Sequence, residues 1–208
     1  MDGDEFMVIK KTSPNLLQLV EYEHSLLHNP VETVEFPLSE SDKQLIEDMK
    51  HSILADQLKK AGAPWESASG MAANQWGHNK RIFIYCPVVR PEEFLEVIIN
   101  PSYEPIADPT TGQFLQDERW EACFSVPLST GLVKRFTHIR ATYQNELGET
   151  KTKDLKDYEA RVWQHENDHL NGFLYEDKRT GKCIVNETFP TLAALEEFFD
   201  NLRKVPKG

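Results

Sequence analysis

The stretch Gln164-His165-Glu166-Asn167-Asp168-His169-Leu170 decides how the rest of the sequence is read. It lies within Leu155 to Asn171, a run predicted to be helical and to end at Gly172, a favourable residue just past a helix C-terminus. Successive helical residues rotate by about 100°, so His165 and His169 fall roughly 40° apart on one face. Two imidazoles one turn apart can share a metal ion. Glu166, offset by about 100°, can reach a water beside that ion. Leu155, Tyr158 and Val162 share the histidine face, which is therefore expected to turn toward an apolar wall. The plainer reading is a helix with two buried, hydrogen-bonded histidines.

His-Glu-x-x-His by itself suggests a zinc protease, and such enzymes usually find their third ligand downstream. No histidine follows His169. Glu176, Asp177, Glu187 and Glu196 do, but in no protease-like arrangement. Upstream stands Glu121-Ala122-Cys123-Phe124-Ser125, and further upstream Gly70-Met71-Ala72-Ala73-Asn74-Gln75. A lone cysteine is more often a small buried hydrophobe than a ligand, and a lone glutamine is more often a structural amide. Only their coincidence with the histidine segment overturns those priors.

Around these segments the chain reads as one folded unit. It has 208 residues, of which 39% are hydrophobic and 27% charged. That suffices for one core of moderate size and excludes a disordered chain. A helix is predicted from about Asp42 to Ala61. Ser39 or Ser41 would cap it, with Asp42 or Gln44 three residues later, and Gly62 and Pro64 would end it. Arg81 to Cys86, Glu96 to Ile99, Leu132 to Phe136 and Ile139 to Gln144 read as strands. Asn100-Pro101 is expected to stop the second of these. Glu146 to Glu149 reads as a hairpin connection and Thr150 to Leu155 as its return strand. Leu16, Leu17, Leu19 and Val20 suggest a short helix or a covering segment. A last helix is predicted over about 191–202, with Leu192, Leu195, Phe198, Phe199 and Leu202 on one face. The layout is α+β, with mostly antiparallel strands packed around the histidine helix and a helix at the C-terminal end.

Charge and cysteine content narrow the function classes. Net charge is −11, from 23 basic and 34 acidic residues. That argues against a surface that tracks phosphates, so no direct nucleic-acid binding is expected. Arg203, Lys204 and Lys207 read as a solvated tail. Met1 to Glu5 lacks the basic and apolar regions of a secretory signal. Ile82 to Val89, the most apolar stretch, is too short to span a bilayer. Cys86, Cys123 and Cys183 are odd in number and widely spaced, so no disulfide framework is expected. The expectation is a cytoplasmic protein in a reducing compartment, with no membrane partner.

The three segments, in order, resemble the three motifs of peptide deformylases. Gly70 to Gln75 is similar to the first, a Gly-apolar-Ala-Ala-x-Gln stretch. Glu121 to Ser125 is similar to the second, Glu-Gly-Cys-apolar-Ser, and Gln164 to Leu170 to the third. Val97 to Pro101 between motifs and Asn171-Gly172 after them also fit. The resemblance covers roughly residues 27–178 and implies a single catalytic domain spanning 1–208. It implies that Cys123, His165 and His169 bind one divalent metal ion, Fe(II) in the cell, with Zn(II), Ni(II) or Co(II) able to replace it. It further implies that Glu166 is general base and then general acid, and that the Gln75 amide and the Phe124 backbone N–H donate to the oxyanion. Gly70 and Met71 would lie along the substrate, Gly70 by letting the backbone approach closely. Tyr158, Val162 and the Phe124 side chain would border an apolar pocket for an unbranched side chain such as Met. Asp168 would support the site, with Arg135 as its ion-pair partner. The implied substrates are N-formylmethionyl nascent peptides, met near the ribosomal exit tunnel.

The departures from the family pattern fall in the substrate groove. Ala68 and Ser69 stand where the first motif usually begins with glycine and an apolar residue, and Asn74 where proline is common. Ala122 replaces the glycine of the second motif, which is tolerable if φ stays negative. Thr130 occupies the position where several members carry a peptide-holding arginine. The stretch Gln57 to Glu66 is longer than the usual connection. Two other readings compete. An upstream thiolate argues against a metalloprotease, because it tempers Lewis acidity. Retention of Glu166 argues against a non-catalytic metal-binding protein. If Cys123 is the third ligand, Cys123→Ala sharply lowers metal content of the purified protein while Cys86→Ala and Cys183→Ala do not. Equal metal content in all three variants would remove Cys123 from the ligand set.

Overall fold

The computed structural model describes residues 13–65, 67–86 and 95–204. Met1 to Glu5, Glu66, Val89 and Lys207, named above, lie outside the described residues. In chain order the elements are α1 (Glu40–Ser52), α2 (Ala55–Lys60), β1 (Gly70–Ala72), β2 (Ile82–Tyr85), β3 (Glu96–Pro105), β4 (Gln116–Cys123) and β5 (Val126–Phe136). There follow β6 (His138–Gln144), β7 (Thr150–Lys156), α3 (Asp157–Leu170), β8 (Cys183–Thr188) and α4 (Leu192–Lys204). The strands form two antiparallel sheets, ordered β1-β2-β3-β6-β7 and β4-β5-β8. The architecture is α+β, with α3 in contact with both sheets.

The larger sheet is covered on both faces, and β2 shows why. All four of its residues are buried. Alternate strand residues face opposite sides, so Ile82 and Ile84 join one core with Leu45, Ile46 and Met49 of α1. Phe83 and Tyr85 join a second core with Trp163 of α3. Trp163 is fully buried and meets the rings of Phe83 and Tyr143 edge-on at 5.0 and 5.4 Å. A third cluster, with Cys123, Val133, Leu174 and Tyr175, holds the smaller sheet to the region after α3.

Several expectations are refined. The helix expected over Asp42 to Ala61 is two helices. Ile53 ends the first and Leu54, extended, begins the second, so that buried Ile53 and Leu58 both reach the core. Ser39 caps α1 in a capping box with Asp42. Asn100-Pro101 does not stop its strand. Asn100 takes a left-handed conformation (φ 50°), and its side chain bonds Val34 and Gln144 while the register slips between Ile99 and Ser102. A bulge of this kind carries a proline without ending the strand. Leu155 belongs to β7, not to the helix, and Asp157 turns the corner with φ 49°. Strands β1, β4 and β8 have no counterpart in the sequence reading. Leu16 to Val20 is a covering segment without helix, with Leu17 and Leu19 against the first core.

The end of α3 is closed by its sequence. Gly172 (φ 74°) donates to His169 O and Phe173 N–H to Asp168 O, the paired bonds of a Schellman cap. A Cβ at Gly172 would stand 2.4 Å from the backbone carbon of Asn29. Gly62 shares a positive φ (72°) but has open space around it. Gly172→Ala should therefore cost about 2 kcal/mol or more in urea unfolding, and Gly62→Ala about 1 kcal/mol. Equal losses would show that the contact with Asn29 carries no weight.

Candidate metal centre

Cys123 ends β4, and Phe124-Ser125 form the two-residue turn into β5, with Cys123 opposite Val126. This hairpin faces α3. Cys123 Sγ and one ring nitrogen each from His165 and His169 all lie within 4.8 Å of one another. Cys123 Sγ is 3.2 Å from His169 Nε2. Glu166 and His169 are buried. Glu166 Oε2 and His169 Nδ1 have no hydrogen-bond partner among the described residues. A buried polar atom left orphaned calls for an ion, a water or a catalytic role. One thiolate and two imidazoles suit a zinc- or iron-class divalent ion. The donor set and the orphaned carboxylate oxygen therefore fit a metal centre with a base beside it.

Behind the histidines lies a buried ionic network. Glu121 accepts from Arg135 Nε and Nη2 at 2.6 and 2.8 Å, from Arg161 Nη1 at 2.6 Å, and pairs with His165 Nδ1 at 3.0 Å. Arg135 also donates to Asp168 at 2.8 Å, and Lys182 closes the chain on Asp168 at 2.6 Å. A carboxylate on one ring nitrogen fixes the other for a ligand's role. Burial pushes the Glu121 carboxyl up, but Arg135 and His165 overcome it and hold it well below the usual carboxylate range. Burial pushes His165 down, yet its contacts with Cys123 and Glu121 hold it well above the usual imidazole value. Burial dominates at His169 and holds it well below that value. Burial also raises Glu166 to about 7, against the opposing pull of His165 and Arg135.

A cavity of about 250 Å³ opens onto this centre. Gly70, Gln75, Cys123, Phe124, Tyr158, Val162, His165 and Glu166 all line it. Gln75 Nε2 donates to Ser125 Oγ at 3.1 Å and approaches Cys123 Sγ at 3.7 Å, while its Oε1 accepts from Ala72 N–H. Gly70 has a second reason to lack a side chain, since a Cβ there would lie 2.7 Å from Glu166 Cγ and Oε1. Tyr158 is half exposed and its hydroxyl meets Ser69 Oγ at 2.7 Å. Ala122 is not among the residues with positive φ, which explains why its methyl is accommodated.

Three expectations need correction. The Met71 side chain is fully buried in the first core and does not line the cavity, because alternation along β1 turns it to the other face. Thr130 is also fully buried. It donates to Glu121 O at 2.6 Å and so does not border the groove. The cavity is not purely apolar, since Arg161 lines it along with Trp65 and Trp120. Sequence reasoning gave no role to Glu121, Arg161, Trp65, Trp120 or Tyr175. Arg161 stands one helical turn before His165, so the rule that placed Tyr158 and Val162 there could have found it. Trp65 meets Phe124 edge-on at 5.2 Å, and Tyr175 stacks on His165 at 6.5 Å.

Comparison with known proteins adds the family. Residues 16–183 match the family model described as Polypeptide deformylase. A peptide deformylase of Lacticaseibacillus casei is 37% identical over 160 residues, 73% of this chain and 83% of the relative. The crystal structure of peptide deformylase from Thermotoga maritima superposes with a TM-score of 0.61 at 28% identity, covering 77% of this chain and 95% of that one. A Met-Ala-Ser-bound class I type b peptide deformylase from Acinetobacter baumannii gives 0.61 at 25% identity, over 79% and 98% of the two chains.

Against the opposing pull of burial, contacts with Cys123 and Glu121 hold His165 above its ordinary value, so a metal at this site competes with a proton there. Metal uptake should therefore release at least one proton. Affinity should rise about tenfold per pH unit and level off only above the raised value. Proton release on adding Zn(II) to metal-free protein in weakly buffered solution measures this. Affinity that does not change between pH 6 and 8 would contradict a raised His165.

Proposed function

Because the chain belongs to the peptide deformylase family, we propose that it hydrolyses the N-formyl group of N-formylmethionyl nascent peptides, with Cys123, His165 and His169 holding one divalent metal ion. The chain is a metal-dependent hydrolase of that family, and neither the protease nor the non-catalytic alternative is favoured. The observation that carries the residue assignment is the meeting of Cys123, His165 and His169 beside a buried carboxylate oxygen of Glu166 that has no partner. Fe(II) is the ion assigned in the cell, with Zn(II), Ni(II) or Co(II) as substitutes. One catalytic domain, a cytoplasmic setting and an encounter with peptides near the ribosomal exit complete the reading. No helix among the described residues is long and apolar enough to cross a membrane.

A formamide is unreactive at neutral pH. A divalent ion in this site supplies Lewis acidity, which polarises the carbonyl and acidifies water. The chain's own residues supply the rest. Glu166, with its carboxyl near 7, takes a proton from the attacking water and returns it to the leaving nitrogen. Gln75 Nε2 donates to Ser125 Oγ at 3.1 Å and, more weakly, toward Cys123 Sγ at 3.7 Å; with the thiolate committed to an ion, the second N–H would turn to meet the formyl oxygen as charge builds there. The Phe124 backbone N–H, in the turn after Cys123, is the second donor. Gly70 leaves room for Glu166 and lets an extended peptide lie close to β1. Formate and a free amino terminus leave.

Glu166→Gln nearly preserves shape while removing the proton acceptor. It should keep the metal and lower formate release from formyl-Met-Ala by about 10²–10⁴-fold. Activity within a factor of about two of the unaltered protein would overturn the role of Glu166.

A further inference from the structure

The cavity beside the metal centre is walled by Trp120, Tyr158, Val162 and Phe124, as a pocket for an unbranched side chain should be. Arg161 departs from that description. It lines the same cavity and is 5% exposed. A guanidinium has five N–H donors in a fixed fork. Four are committed: Nη1 to Glu121 Oε1 and Val133 O at 2.6 and 3.0 Å, Nη2 to Asp117 Oδ1 and Asp117 O at 2.6 and 3.2 Å. The fifth, Nε–H, has no partner among the described residues. Nor is Nε one of the sealed, unpartnered atoms of the interior. The cavity is an accessible space that Arg161 borders.

We propose that Arg161 is a specificity-determining residue, offering its Nε–H to a neutral hydrogen-bond acceptor carried near the end of the first side chain of the substrate. This rests on the deformylase reading of the site. The acceptor is neutral because the guanidinium charge is already met by Glu121 and Asp117, and because Glu166 faces the same cavity. A substrate carboxylate there gains no net attraction from Arg161 and is repelled by Glu166. The methylene stem of Arg161, with Val162 and Trp120, still accepts the apolar part of an unbranched chain. A methionine thioether is a weak acceptor for such a donor, and a hydrocarbon chain of the same length leaves it unmet. The sulfoxide of methionine, with a strong acceptor oxygen on the sulfur, meets it best. The substrate class is thus N-formyl peptides whose first residue is methionine or methionine sulfoxide, in preference to isosteric hydrocarbon. The hydrolysis is unchanged: water adds to the formyl carbon, the C–N bond breaks, and formate and the amine leave.

The test compares formate release by the metal-loaded protein from formyl-Met-Ala, formyl-norleucyl-Ala and formyl-Met-sulfoxide-Ala. A hydrogen bond from a charged donor is worth about tenfold or more. The sulfoxide peptide should therefore exceed the norleucine peptide in kcat/KM by about tenfold. In a folded Arg161→Leu that preference should vanish or reverse, so that the sulfoxide-to-norleucine ratio of kcat/KM falls to about one or below whatever happens to the overall rate. Norleucine equal to or better than sulfoxide in the unaltered protein overturns the proposal, whether or not Arg161→Leu folds. An unchanged ratio in a folded Arg161→Leu overturns it too. No formate from any of the three peptides removes the deformylase reading itself and this inference with it.

Discussion

A single buried carboxylate, Glu121, holds the two halves of the site in register. It sits on β4, two residues before Cys123, and takes hydrogen bonds from Arg135 on β5 and Arg161 on α3 while pairing with His165. Burying charges costs several kcal/mol per ion unless each is paired and hydrogen-bonded. Here each member has partners, and Asp168 and Lys182 extend the chain of pairs. Removing one member would strand the others in low dielectric, so the network tolerates little variation. Because its geometry sets the ring of His165, an arrangement that looks like stability is also an arrangement of the candidate metal centre.

The elements that bring the candidate donors together rest on different cores. His165 and His169 belong to a helix locked by Trp163 against the larger sheet. Cys123 belongs to a hairpin packed on the third cluster. Catalytic geometry is sensitive to displacements of about 1 Å, so two independently packed bodies need something rigid between them. The Glu121 network is that connection on one side. On the other side, Gln75 bonds Ser125 and reaches toward Cys123 from the short turn after β1.

What the sequence reveals depends on whether the information is local. The helical spacing of His165 and His169, the Ser39–Asp42 cap and the Gly172 stop are encoded within one or two turns and are readable. The β4 strand is hidden because Asp117, Glu118, Arg119 and Glu121 look like a solvated run. Glu118 and Arg119 are indeed exposed and Asp117 is half-buried, but Glu121 is buried, and its partners Arg135 and Arg161 are distant in sequence. Strand β8 is hidden for a related reason, being polar and largely exposed. Arg161 is passed over because a charge on an otherwise apolar face reads as a surface residue. Met71 misleads in the opposite way: its place in a motif says nothing about which side of a three-residue strand it faces.

The covering segment ahead of α1 has a consequence for how the chain reaches this state. Val20 N–H bonds Gln75 O, Val31 N–H bonds Leu170 O, and Asn74 bridges Leu26 O and His169 O. Tyr22 reaches Glu176 across 154 residues of sequence. These partners are synthesised long after the segment itself. Contacts between parts so distant in the chain close slowly, since loop entropy must be lost before they form. The residues made early thus wait without their final partners until α3 has emerged and capped.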